Sequence, residues 1–365
     1  MTTMSRAVVL SEPGAPISLL THPVPVAEAG AAVVRPAYGG ICGTDVHLQQ
    51  GRLRIPTPVV LGHEGVGWLE QRGEGVHVDI TGAPLEEGAR VTWGSSIPCG
   101  HCAACFEGAR TLCDQRRVYG VNQRFDVVPG LSGSWADRMY LQPGTAIVKL
   151  PDDVSFEEAI ALGCAGPTVV HGLLRRADVS VGDTVVILGS GPVGLAAALY
   201  AKASGARRVV LVGAPQGRLD LAMELAIADA TINIEEVDVD DRLEHVLEAS
   251  QSDGADIVVE CAGAPEAVAQ GIDYCRRGAQ LLVLGQYTDH GTTPINPHLI
   301  TRKQLLVIGS WAFSETHVIQ HVAALSRLAA LCDLTRLLTV YGLEDANRAL
   351  GDVAAGRVTK AVLRP

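Results

Sequence analysis

No uncharged apolar run in this chain is long enough to cross a bilayer, which argues against a membrane-embedded protein. Basic charge is also short: 29 lysines and arginines against 40 acids leave a net charge of −11, the wrong sign for a nucleic-acid partner. Internal repeats and low-complexity linkers are missing. The segment Met1–Arg6 leads straight into the strand-like Ala7–Leu10 with no charged n-region or apolar h-region, so a cytoplasmic location is expected. Cysteine is scarce and odd in number, nine in 365 residues, which fits a reducing compartment better than a disulfide framework. What remains is a chain 47% hydrophobic, long enough for two domains, with 40 glycines for tight turns and ligand-cradling loops.

Four of the cysteines are crowded together. Cys99, Cys102, Cys105 and Cys113 read C-x2-C-x2-C-x7-C, and two-residue gaps let successive thiolates turn back toward one point. Four such ligands suit a closed structural Zn²⁺ site, with an iron–sulfur cluster as the competing reading. The intervening Gly100, Ala103, Ala104 and Gly108 make a small-residue loop rather than a core segment.

From Ala7 to about Leu150 the text is one of short strands and turns: Ala31–Pro36, Gly65–Leu69, Arg90–Trp93, Ala146–Lys149. Ser155 and Glu158 form a capping box for a helix to Leu162. Then strand and helix alternate. Thr184–Leu188, Arg208–Val212, Asp256–Glu260 and Gln280–Leu284 are strand-like, with helices expected at Val193–Ala203 and Gly217–Ala226, a pattern that implies a doubly wound parallel sheet. Beyond Pro297 come an apolar run, Leu305–Gly309, helices around Val318–Leu331 and Glu344–Ala355, and a last strand at Lys360–Leu363.

The first of these strands runs into Gly189-Ser190-Gly191-Pro192-Val193-Gly194. A GxGxxG between strand and helix is the context that phosphate cradling requires. Gly189 permits the turn, Gly191 lets backbone approach a pyrophosphate, Gly194 allows close packing, and the helix N-terminus faces the anion. The acid that should end the second strand and hold ribose hydroxyls is absent, for Gly213 stands there. Nothing then repels a 2′-phosphate, which Arg218 or Arg207 could meet, although a surface role suits Arg218 equally.

Upstream lie Cys42-Gly43-Thr44-Asp45-Val46-His47 and Gly62-His63-Glu64-Gly65, and downstream Cys164 in Gly163-Cys164-Ala165-Gly166-Pro167-Thr168. With the four-cysteine loop and GxGPVG, these segments resemble the zinc-dependent medium-chain alcohol dehydrogenases over essentially the whole chain. The resemblance implies an α/β protein. A strand-rich, chaperonin-10-like catalytic domain would be formed by residues 1–161 and 300–365, and a Rossmann domain by 162–299. It further implies a catalytic zinc on Cys42, His63 and Cys164, a second, structural zinc on the four cysteines, and a Glu64 that approaches the first metal. Asp45 would orient a ligand, Thr44 and His47 would relay a proton, Thr168 would touch a nicotinamide, and Lys360 would lie near a pyrophosphate. NAD is the cofactor the family favours, with NADP left open by Gly213.

Cys164, where the polyol branch usually carries glutamate, favours an alcohol over a sorbitol-like substrate. Further segments, among them Leu131–Ala136, Gly285–Asp289 and Ile295–Lys303, resemble a bacterial subgroup whose expected substrates are secondary or alicyclic alcohols, such as a hydroxylated camphor. Trp93 and Trp135 read either as core or as walls of an apolar pocket, and Cys261, Cys275 and Cys332 as core thiols. The expected partner is a small alcohol or ketone, and the family implies a homodimer or homotetramer. Two alternatives stand beside this: a threonine- or polyol-type dehydrogenase, and a dinucleotide-binding protein without turnover.

Overall fold

The computed structural model describes residues 3–365. They form two compact units: residues up to Cys164 with Ser314–Ser326 and Leu334–Pro365, and Ala165–Phe313 with Arg327–Asp333. The expected boundary after residue 299 is therefore displaced to 313. The reason is a ladder: Leu306–Gly309 pairs in parallel with Cys275–Val283, from Gln280↔Leu306 to Val283↔Gly309, and so belongs to the second unit.

The first unit is strand-rich. Its main sheet runs Ile147–Lys149, Arg90–Trp93, Gly65–Arg72, Ala32–Gly40, Lys360–Arg364, Leu338–Gly342, and Met139–Leu141 also pairs with Ala32–Gly40. The last strand of the chain lies antiparallel to Ala32–Gly40, with Val362 opposite Gly40. The end of the chain is thereby closed onto its beginning, which brings Lys360 beside residues some three hundred positions earlier. Leu10, Ile41, Leu48, Leu61, Trp135 and Leu363 form one core. Trp93 sits in another with Leu69, Val91 and Tyr119. Trp135 is fully buried and donates its indole N–H to Gly40 O at 2.9 Å. Both tryptophans pack in the core. The capping box is present: Ser155 Oγ accepts from Glu158 N at 3.1 Å, Glu158 Oε2 accepts from Ser155 N at 2.7 Å, and the helix runs Phe156–Ala161.

The second unit holds a six-stranded parallel sheet whose strands are numbered in chain order: β1 Thr184–Leu188, β2 Arg208–Gly213, β3 Ala230–Asn233, β4 Ala255–Glu260, β5 Cys275–Val283 and β6 Leu306–Gly309. The spatial order is β3-β2-β1-β4-β5-β6. All five residues of β1 are buried, as a central strand covered on both faces requires. The short, polar β3 (Ala-Thr-Ile-Asn) carried too little apolar pattern to be anticipated. Helix α1, Pro192–Ala203, has Gly191 as its N-cap and Pro192 at its first position, where a missing N–H costs nothing. Among the described residues no helix is long and apolar enough to cross a membrane.

Candidate functional site

Cys42 caps the short helix Gly43–Gln49. Asp45, three residues on, accepts the Cys42 N–H through Oδ2 at 2.8 Å, and its Oδ1 lies 3.3 Å from His63 Nδ1. That contact leaves the other ring nitrogen, Nε2, for a metal. His63 and Glu64 follow a sharp turn at Gly62, whose φ of +94° only glycine adopts easily and where a Cβ would also strike Trp135. Cys164 follows the Phe156–Ala161 helix, and its Sγ comes within 3.3 Å of Cys42 Sγ. One ligand atom from each of Cys42, His63, Glu64 and Cys164 falls within 4.8 Å of all the others. Three segments separated by as many as 122 residues thus converge on one point. Thr44 Oγ1 is 3.9 Å from Cys42 Sγ, and His47 stands one turn further along the same helix.

The electrostatics fit a divalent cation. Cys164 donates to Cys42, which holds the Cys42 thiol well below its ordinary pKa; the same contact and burial push Cys164 up. Burial works against a charged His63, but Asp45 and Cys42 outweigh it. Once both thiols and His63 have given up their protons, as metal ligands must, the two thiolates and the Asp45 and Glu64 carboxylates outnumber the one ammonium, and a 2+ ion offsets that buried charge. With two sulfurs and an imidazole nitrogen, the donor set is one that suits zinc.

Lys360 supplies that ammonium. The family resemblance implies a place for it near a pyrophosphate; the structure shows it 3% exposed, donating to Ile41 O at 3.1 Å and paired with Glu64 Oε1. Burial opposes its charge, yet Glu64, Cys164 and Cys42 outweigh burial and keep it protonated. The other Glu64 oxygen accepts the Cys164 N–H at 2.6 Å. Gly40 and Gly163 make the room: a Cβ on Gly40 would come within 2.5 Å of the Glu64 carboxyl carbon, and one on Gly163 would collide with its Oε2. These two glycines went unrecognised as site residues, because nothing in their local sequence marks them.

The four-cysteine cluster is local. Cys99, Cys102, Cys105 and Cys113 bring their sulfurs within 4.8 Å of one another on a loop holding the one-turn helix Ala103–Phe106. The His101 backbone N–H helps lower the Cys99 thiol to about 6. Of the remaining cysteines only Cys275 is buried; Cys261 and Cys332 are partly exposed.

In the second unit Gly189 turns with φ +111°, and a Cβ there would press on Cys261 and Ala262. A Cβ on Gly194 would meet Gly189 O, whereas Gly191 faces open space. This cradle fits a pyrophosphate at the start of α1. Gly213 ends β2, and a Cβ would lie 2.8 Å from Ser190 N, so glycine is demanded there by packing. Arg218, on the helix Gln216–Glu224, is partly buried, and burial lowers its pKa. Arg207 instead donates to Thr184 Oγ1 at 2.7 Å, at the N-terminal end of β1 and away from the glycine loop. Thr168 lies on the helix Ala165–Val169.

Comparison with known proteins finds a counterpart for each half of the chain. Residues 28–152 match the alcohol dehydrogenase GroES-like domain and residues 192–328 the zinc-binding dehydrogenase domain. The chain is 36% identical over 347 residues to 5-exo-hydroxycamphor dehydrogenase of Pseudomonas putida, covering 94% of each. It is 31% identical to L-threonine 3-dehydrogenase of Deinococcus radiodurans, covering 98% of this chain and 97% of that one. An alcohol dehydrogenase structure from Thermotoga maritima superposes with a TM-score of 0.92 at 29% identity, over the whole of both chains. A Sinorhizobium meliloti protein solved with NADP superposes at 0.86 and 26% identity, again over both whole chains. A GroES-like unit bearing the cysteine and histidine clusters and a Rossmann unit bearing the glycine loop therefore make this chain an enzyme of the zinc-dependent medium-chain alcohol dehydrogenase family.

Proposed function

We propose that the enzyme oxidises a secondary alcohol, alicyclic or terpenoid in kind, to its ketone and passes hydride to NAD⁺, with NADP⁺ as the cofactor to test beside it. The observation that carries this is the convergence of Cys42, His63 and Cys164, with Glu64 tied back by Lys360. These three would hold a catalytic zinc and the four-cysteine loop a structural one, two per chain. Zinc supplies Lewis acidity, which makes a nearby alcohol's proton easier to lose.

The chain's own groups do the rest. Asp45 fixes the His63 ring by its Nδ1 edge and anchors the Cys42 backbone. The Thr44 hydroxyl, beside Cys42, takes the alcohol's proton, and His47 passes it to solvent, a task suited to a group that ordinarily titrates at about 6.5. Gly189, Gly191, Pro192, Val193 and Gly194 receive the dinucleotide, with Gly213, Arg218 and Thr168 beside it. Similarity to the hydroxycamphor enzyme supports the substrate class, as does Cys164 in place of the glutamate usual in the polyol branch. A homodimer or homotetramer is supported by β6, an edge strand whose Leu306 and Val307 are exposed.

The test is the rate of nicotinamide reduction across linear primary, linear secondary, alicyclic and polyol alcohols and L-threonine, with NAD⁺ and NADP⁺ in parallel. Fastest turnover of alicyclic or secondary alcohols is expected. Preference for threonine or polyols would move the enzyme to that branch. Dinucleotide binding with no turnover of any of them would favour a non-catalytic role.

A further inference from the structure

The sheet order reverses between β1 and β4, so the crevice that takes a dinucleotide opens between the loops that follow these two strands. The loop after β1 carries the glycines. The loop after β4 begins at Glu260, which ends that strand with no exposed surface. Its Oε1 accepts the Gly263 N–H at 2.6 Å and its Oε2 the Gly285 N–H at 3.1 Å, so one carboxylate ties the turns that leave β4 and β5. The packing there is tight: a Cβ on Gly285 would lie 2.7 Å from Glu260 Oε1, and Gly189 abuts Cys261 and Ala262. Burial pushes the carboxyl above its ordinary pKa, and the surrounding backbone N–H groups offset only part of that rise. Among the described residues no lysine or arginine pairs with it. A buried acid held only by neutral donors keeps its field in the crevice.

By the two-halves logic of this fold, adenosine lies over β2 and β3 and the nicotinamide half over β4 to β6. The oxidised nicotinamide ring is a cation and the reduced ring is neutral. We propose that Glu260 is a positioning residue with an electrostatic bias: its carboxylate sets the turns after β4 and β5 and favours the oxidised dinucleotide over the reduced one. The inference rests on the dinucleotide reading of the glycine loop.

The test measures dissociation constants for both redox forms, NADH by its fluorescence and NAD⁺ by displacement, with the NADP pair alongside, on the zinc-loaded wild type and on Glu260→Gln and Glu260→Asp. A unit charge in a protein-like dielectric is worth roughly tenfold. Glu260→Gln should therefore lose about tenfold more affinity for the oxidised form than for the reduced. Glu260→Asp, which keeps the charge, should hold the wild-type ratio even if both affinities fall. Should the Gln variant not fold, Glu260→Asn gives the same reading, since its shorter amide presses no N–H against those of Gly263 and Gly285. Equal weakening of both forms in Gln or Asn would reduce Glu260 to a tie between loops and overturn the bias. A wild type that binds neither form would overturn the dinucleotide reading and the inference with it.

Discussion

The two ligand clusters of the first unit use the same thiol chemistry and differ in how the chain delivers it. Cys99 and Cys113 lie 14 positions apart on a loop, with one turn of α-helix and no neighbouring strand ladder longer than two residues. Cys42, His63, Glu64 and Cys164 arrive from a helix N-cap, a glycine turn and a post-helical segment, each fixed by core packing before any ligand is counted. In the loop, a metal would hold the chain. At the other cluster the chain would hold the metal, and among the described residues the contacts from Asp45 and Lys360 have no counterpart in the loop. Spacing alone therefore marks a structural site, while a site built for chemistry is marked by what surrounds its ligands.

The sharpest way to break this comparison is to remove one sulfur from each cluster. Cys42→Ser should cut turnover by about a thousandfold or more, with melting temperature and dinucleotide affinity close to wild type. Cys105→Ser should do the reverse, lowering the melting temperature by roughly 10 °C while the fraction that stays folded keeps its turnover. Zinc content by mass spectrometry should drop from two to one in both. If Cys42→Ser unfolds the protein or Cys105→Ser abolishes turnover without loss of stability, the division of labour is wrong.

A second prediction concerns the buried ion pair. Lys360→Met leaves the Glu64 carboxylate buried without its cation, which costs about 3–5 kcal/mol of stability. The double variant Lys360→Met, Glu64→Gln removes both charges, and its neutral amide oxygen still accepts from Cys164 N, so most of that loss should return. Chemical denaturation of the single and double variants closes the cycle. If the double variant is no better than Lys360→Met, Lys360 matters for its packing rather than for Glu64.

What could be read from the sequence divides along the same line. The four-cysteine loop, the capping box at Ser155, the buried strand β1 and the glycine loop are all written in contiguous residues, and each was legible. Cys42, His63 and Cys164 became a single site only through resemblance, since no spacing rule joins residues 122 positions apart. The contact of Lys360 with Glu64 is not legible locally, because it spans 296 residues and depends on the final strand folding back onto Ala32–Gly40. Gly213 reads in the sequence as a missing acid; in the structure a Cβ there would come within 2.8 Å of Ser190 N, a crowding that only the fold reveals. Glycines that make room for a distant group, as Gly40 and Gly163 do for Glu64, look like any other glycine until the fold brings that group to them.

The smallest predicted effect isolates the surroundings from the ligands. Asp45→Asn keeps size and shape, and an amide oxygen can still accept the Cys42 N–H, so the helix cap should survive. What it removes is the negative charge 3.3 Å from His63 Nδ1, which orients the ring and strengthens Nε2 as a donor. Zinc affinity or turnover should fall by roughly 10–100-fold, less than for loss of a ligand, with melting temperature little changed. Chelator competition, which reads affinity without turnover, should show the loss at one of the two zincs and leave the other untouched. No loss would mean that the fold positions His63 without help from Asp45; a loss shared by both would mean that Asp45 supports the unit as a whole, and that the two clusters differ less than their surroundings suggest.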